Sequence, residues 1–354
     1  MRRPVFAALM ALTVLSAAGV CAEGQRFVLL SIEDRVGDPE VTAAVETALR
    51  AELSALGSVI ERDRTRAVLR RLRLRRLEDA EPRLLERLAS ELEADWLVDV
   101  SLQEVQREPA ALTLAARAIR GVSGSEIRHA LISSTGIEGL HLMGLGLIHE
   151  LVPLVEREMP RLVSQLALDQ SSLSSPRGTR GRRREVSLWT KRIAVIPLTS
   201  PLSVDASAAA TAGTKALHRV LQEEGMEAVS ENAVAALLRR HRSTRWGQLD
   251  RGTRASIARE LGADVILTGS VDAFTAGWSV EPRPRVAVAL RALDAATGRI
   301  VWSGELERDG WYRQRAFRRG RVHTRTVLLQ ELLRRLVREV RSAPDAFDAQ
   351  EAVR

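Results

Sequence analysis

The feature that most constrains this chain is that it repeats itself. Leu92-Glu93-Ala94-Asp95-Trp96-Leu97-Val98-Asp99-Val100-Ser101-Leu102 aligns with Leu261-Gly262-Ala263-Asp264-Val265-Ile266-Leu267-Thr268-Gly269-Ser270-Val271, 169 positions later. Arg26-Phe27-Val28-Leu29-Leu30-Ser31-Ile32 aligns with Arg192-Ile193-Ala194-Val195-Ile196-Pro197-Leu198 at an offset of 166, and Ile127 with Ile300 at 173. A slowly drifting offset is what small loop insertions produce, and 354 residues suit two domains at about 100 to 200 residues each. The pattern therefore predicts two related domains, at 26–167 and 191–341.

The same order of elements is expected in each. A short apolar run (27–32, 193–198) suits a buried strand, and the next stretch (39–56, 205–224) has Ala, Val and Leu at helical spacing. A second strand (58–61, 227–230) precedes a helix such as Thr65 to Leu77, and a short Leu- and Ala-rich helix ends at the Ala-Asp step. A third strand (96–103, 264–272) leads to a hairpin (112–119 with 126–133, 285–293 with 299–306), and helices at about 141–167 and 323–341 close the units. The expected fold class is α/β (α+β): two tandem three-layer domains, each a mixed sheet of about five strands packed with helices.

Outside the domains the composition changes. Met1-Arg2-Arg3-Pro4, an apolar run from Val5 to Val20, and small residues at the −3 and −1 positions (Val20 and Ala22) read as a secretory signal, with cleavage expected between Ala22 and Glu23. Cys21, the only cysteine, is a lipidation candidate, although Ala18 and Val20 depart from the usual lipobox. Residues 168–190 read as a Ser- and Arg-rich tether and 342–354 as a tail. The net charge of +8 is local: Arg177 to Arg184 carries +5 and Arg308 to Arg325 carries +6, so the remainder is acidic.

These residues resemble the curli-secretion CsgG family, with the penicillin-binding-protein activator LpoB and the N-terminal domain of TolB. The resemblance rests on Ile196-Pro197-Leu198, Val59-Ile60-Glu61-Arg62, Leu261-Gly262-Ala263-Asp264 with Gly269-Ser270-Val271, and Thr297-Gly298-Arg299-Ile300-Val301-Trp302. It covers 190–341 well and 30–165 more weakly. What it implies is an exported cell-envelope adaptor or assembly module, in the periplasm or on the periplasmic face of the outer membrane of a Gram-negative bacterium. The connections 103–112 and 272–285 are too short for the membrane-spanning hairpins of a secretion pore.

Catalytic constellations are missing from the sequence. It has no Gly-x-x-x-x-Gly-Lys loop, no nucleophile elbow and no His-x-x-x-His pair, and His141 and His149 stand eight apart. Asp95 and Asp99 share one face of a strand but lack a positioned partner. We therefore expect no enzyme, metal or cofactor; an envelope hydrolase with an unrecognised site is the alternative. Arg182, Arg183 and Arg184, and Trp311, Tyr312, Arg313, Arg315, Phe317, Arg318, Arg319 and Arg321, are the candidate partner-binding or anion-binding residues, because Arg interleaved with aromatics suits headgroups or acidic surfaces. The expected partner is an envelope protein, with lipopolysaccharide or anionic lipid as the alternative. A homo-oligomer is compatible with the pattern, and nucleic acid is not expected.

Overall fold

The computed structural model describes residues 24–74, 77, 80–108, 110–124, 126–136, 148–168, 191–202, 206–243, 246, 249–276, 283–312 and 322–342. In the first half, β1 (Gln25–Asp34), α1 (Pro39–Leu56), β2 (Gly57–Val59), α2 (Arg62–Arg71) and α3 (Pro82–Leu92) precede β3 (Trp96–Arg107), β4 (Ala110–Arg120), β5 (Ile127–Thr135) and α4 (Leu151–Leu166). In the second, β6 (Ile193–Val195) is followed by α5 (Ala206–Glu223), α6 (Glu231–Arg240), α7 (Arg251–Leu261), β7 (Val265–Thr275), β8 (Arg285–Asp294), β9 (Ile300–Asp309) and α8 (Arg325–Arg341). The fold is mixed α/β, with sheets ordered β2-β1-β3-β4-β5 and β6-β7-β8-β9. The strands reached by helical crossovers pair in parallel, β1 with β2 and β3, and β6 with β7; the hairpin strands pair antiparallel.

Alternation along each strand feeds two cores per sheet. Phe27, Leu29, Val98, Val100 and Leu114 face α1 and α4, while Val28, Leu30, Leu97 and Ile119 face α2 and α3. Likewise Val195, Leu267, Val288 and Leu290 face α5 and α8, and Ala194, Ile196 and Ile266 face α6 and α7. Strands covered on both faces read as nearly unbroken apolar runs, which is why 96–102 and 265–271 align so well. In both halves the Asp of the Ala-Asp step ties the first strand to the third: Arg26 N–H donates to Asp95 (2.8 Å) and Arg192 N–H to Asp264 (2.8 Å).

Several boundaries differ from the sequence expectation. The second sheet has four strands, because the segment 227–230 makes only one isolated bridge, Ile193 with Ala228. β6 stops at Val195, two residues before Pro197, which has no N–H to donate; the Leu198 N–H instead reaches the Thr214 hydroxyl (2.9 Å). α2 runs from Arg62 only to Arg71, ending where Arg73 turns left-handed (φ 54°), and α4 begins at Leu151, so His149 precedes it. Gly262 takes the left-handed helix end (φ 61°) that Glu93 takes in the first half, and a Cβ on Gly269 would lie 2.1 Å from the Ala289 carbonyl oxygen. Among the described residues no helix is long and apolar enough to cross a membrane.

Candidate functional site

The chemistry of this protein concentrates where its halves meet. α2 and α3 cover only part of the second face of the first sheet. The rest, on β3, β4 and β5, carries Asp99, Ser101, Thr113, Ala115, Arg117, His129, Leu131 and Ser133. Across the sheet these fall into rungs, Asp99 beside Arg117 beside His129, and Ser101 beside Ala115 beside Leu131. Polar groups on an interior sheet face need partners, since an unpaired buried polar group costs about 1–3 kcal/mol. The second half supplies them through α5, α6 and the start of α8, while Ala115 and Leu131 join the apolar core of that half.

Arg117 is the centre, with 1% of its side chain exposed. It donates to Asp99 Oδ2 on the neighbouring strand (2.8 Å from Nη2, 3.3 Å from Nε) and from Nη1 to Glu231 Oε2 (3.4 Å), in the first turn of α6. Lys215 Nζ, also buried, donates to Ser101 Oγ (2.8 Å). His129 and His218 stack with ring centroids 5.0 Å apart and planes at 21°. The outer edge of β5 is closed by α5: His129 N–H donates to Gln222 Oε1 (3.0 Å), and Arg219 donates to the His129 carbonyl (2.8 Å). Covering an edge in this way removes a site of adventitious strand pairing. Asn232 donates to the carbonyls of Leu77 (2.6 Å) and Ala80 (2.9 Å), Ser133 to Thr324 Oγ1 (2.7 Å), and Arg325 lies 3.3 Å from Glu104.

Electrostatics follow from this packing. Burial disfavours the charged imidazolium and pushes both histidines down, His129 well below the usual value with help from His218, Arg117 and Lys215; Glu231 opposes the shift in both. Burial works to raise the Glu231 carboxyl, but Arg117, reinforced by His218, His129 and Lys215, brings it down to about 2. The seam is thus an ion triad in which the buried Arg117 joins the half-buried Asp99 and Glu231, beside two buried imidazoles held toward their neutral form. A cavity of about 160 Å³ adjoins it, bounded by His129, His218, Gln222, Ser230 and Glu231 among others. Among the described residues no group of three His, Cys, Asp or Glu is arranged to hold a metal ion. The arrangement joins the two halves through paired charges and buried hydrogen bonds.

The residues singled out from sequence lie elsewhere. Cys21, Ala22, Glu23, His141, Arg182, Arg183, Arg184, Arg313, Arg315, Phe317, Arg318, Arg319 and Arg321 fall outside the described residues, as do the tether at 169–190 and the tail from 343. Trp311 lies under the Arg283 guanidinium (4.9 Å), and Tyr312 donates to Glu331 Oε2 (2.6 Å), so the structure joins both to neighbouring side chains. Asp95 and Asp99 do not act together, the first holding β1 and the second holding Arg117. Sequence reasoning passed over Arg117, His129, Lys215, His218 and Glu231. Two signals pointed to them: an Arg inside the apolar run Ala115-Ala116-Arg117-Ala118-Ile119, and one of only two lysines, set in the Ala-rich α5 of an Arg-rich chain.

Comparison with known proteins gives a match to one family over part of the chain. Among solved structures, the PelC dodecamer from Paraburkholderia phytofirmans is 17% identical, covering 43% of this chain and 87% of that one, with a TM-score of 0.30. The lipoprotein GNA1162 from Neisseria meningitidis is 18% identical (42% and 97% covered, TM-score 0.29), and the LpoB C-terminal domain from Salmonella enterica is 19% identical (33% and 82% covered, TM-score 0.25). No curated protein matches the chain. The family whose model this chain matches, over residues 209–307 from α5 to β9, is the peptidoglycan-synthase activator LpoB.

Proposed function

We propose that this chain is an exported, non-catalytic cell-envelope protein that binds a peptidoglycan synthase and raises its activity. The observation that carries the reading is the match of residues 209–307 to the LpoB family model, which takes in α5 from Ala209 onward, the helix that builds the seam. In this reading the halves are tandem copies of one unit, exported by the signal at the N-terminus. The ion triad on the buried Arg117 and the apolar contacts of Ala115 and Leu131 hold the copies as one body, so that a partner meets a rigid adaptor. Purified chain lacking residues 1–22, added to a bifunctional peptidoglycan synthase from the same organism, tests it by direct binding and by the rates of glycan polymerisation and cross-linking. Saturable binding with a several-fold rate increase is expected. Absence of binding together with unchanged rates for every synthase of that organism overturns the proposal.

A further inference from the structure

The seam has a second, uncovered version in the same molecule. The rung Asp99, Arg117, His129 of the first sheet corresponds in register to Thr268, Arg291, Ser303 of the second, and Ser101, Ala115, Leu131 corresponds to Ser270, Ala289, Glu305. Arg, Ser and Ala recur at matching places. In the first sheet this face is buried under α5; in the second, Arg291, Ser303 and Glu305 are exposed. The side chains of Arg291 and Glu305 have no ion-pair or hydrogen-bond partner among the described residues. Among the described residues the second sheet is therefore a half-site without a covering helix over this rung.

The matching helix is present in the chain with the matching side open. α1 and α5 superpose in pattern through the rows that face their own sheets, Val41, Val45, Leu49 and Leu53 against Ala209, Gly213, Leu217 and Leu221. At this alignment Ala43, Thr47, Ala51 and Ser54 occupy the places of Thr211, Lys215, Arg219 and Gln222, the side that α5 turns toward the first sheet. All four are exposed on α1. Small side chains on a helix allow a close approach to a sheet. Along one flank of Thr47 stand Glu46 and Arg50, which pair with each other (3.3 Å), Glu46 also meeting Arg62 (3.4 Å), and which match in charge the Arg291 and Glu305 of the open sheet face.

We infer that the outer face of the β6–β9 sheet docks α1 of a second copy of this chain, in a head-to-tail contact that repeats the intramolecular seam. The half-site is complete only with the helix of the next copy. Such a contact is heterologous, so it closes into a ring or grows as a filament according to the rotation between copies. The inference rests on reading the halves as tandem copies and is independent of any synthase.

Cross-linking tests it in the full chain with Cys21→Ser. Ala51→Cys together with Ser303→Cys, both at exposed positions, should give a ladder of covalent oligomers on a non-reducing gel after oxidation, while each single variant stays monomeric. Sedimentation velocity should show concentration-dependent assembly in the unaltered protein, lost on Ala51→Arg or Ser303→Arg with the thermal unfolding midpoint of dilute protein retained. A single monomeric species up to the solubility limit with no ladder overturns the inference, and so does covalent dimer from Ala51→Cys alone, which marks a symmetric α1 contact. Synthase activation by a strictly monomeric chain would sink this inference and leave the functional proposal standing.

Discussion

α1 and α5 follow the first strands of their sheets, each spans 18 residues, and each packs on its own sheet beside the closing helix, yet they are composed differently. α1 buries one row, Val41, Val45, Leu49 and Leu53, and leaves Ala43, Thr47 and Ala51 to water. α5 buries most of its circumference, including Thr214, Lys215 and His218. A helix with one neighbour needs one apolar stripe, whereas a helix between two sheets must suit both. The second neighbour of α5 is a polar sheet face, so its second side is polar too. The lesson is that Lys215 and His218 are core residues whose environment is the ladder of Arg117, Ser101 and His129.

Breaking that ladder should separate the two helices in behaviour. The largest effect is expected from Arg117→Ala, which leaves the half-buried Asp99 and Glu231 without their counter-charge; unfolding free energy should fall by about 2–3 kcal/mol in denaturant titration. The matching Arg291→Ala, measured on dilute protein, should stay within about 0.5 kcal/mol of the unaltered chain. Equal effects of the two would show that the seam contributes nothing special.

The next effect is on pH dependence. Both histidines have folded pKa values below the ordinary 6.5, so their neutral forms hold stability that is fully present above pH 6.5 and declines as pH falls below it. Glu231, at about 2 against 4.5 unfolded, adds stability that is present above pH 4.5 and is lost as pH falls toward 2. Both contributions have the same sign, so acid loosens the seam in two stages. Thermal unfolding across pH 4 to 8 should show the first stage, and His129→Phe with His218→Phe should flatten it between pH 5 and 6.5; an unchanged slope would reject the assignment.

The smallest effect concerns the edge of β5. Gln222→Ala frees the His129 N–H and should cost about 1 kcal/mol, with faster amide exchange at that N–H, whereas Ser54→Ala at the equivalent place on α1 should cost nothing measurable.

Much of the architecture was legible in the chain. The bounds 39–56 for α1 stood in the sequence because Asp38 caps the helix, Pro39 starts it and the apolar period persists to Leu53. The hairpin turn at Asp294 was legible because its carboxylate receives the Thr297 N–H (2.7 Å) and Gly298 takes a positive φ. Less legible was α4, whose apolar run from Leu140 to Ile148 suggested an earlier start than Leu151. The seam was hidden for a different reason. Its members come from β3, β4, β5, α5 and α6, and Arg117 and Glu231 are 114 residues apart. No local period relates them.

The sequence by itself determined most of the order of strands and helices in each half and the apolar runs that become its buried strands, because strand and helix periods are local properties of the chain. Only the tertiary structure decided which face of the first sheet receives α5. It also decided that an arginine, a lysine and two histidines would be interior groups, since burial and charge pairing depend on what lies across the gap from a residue, and that is set by how the halves pack.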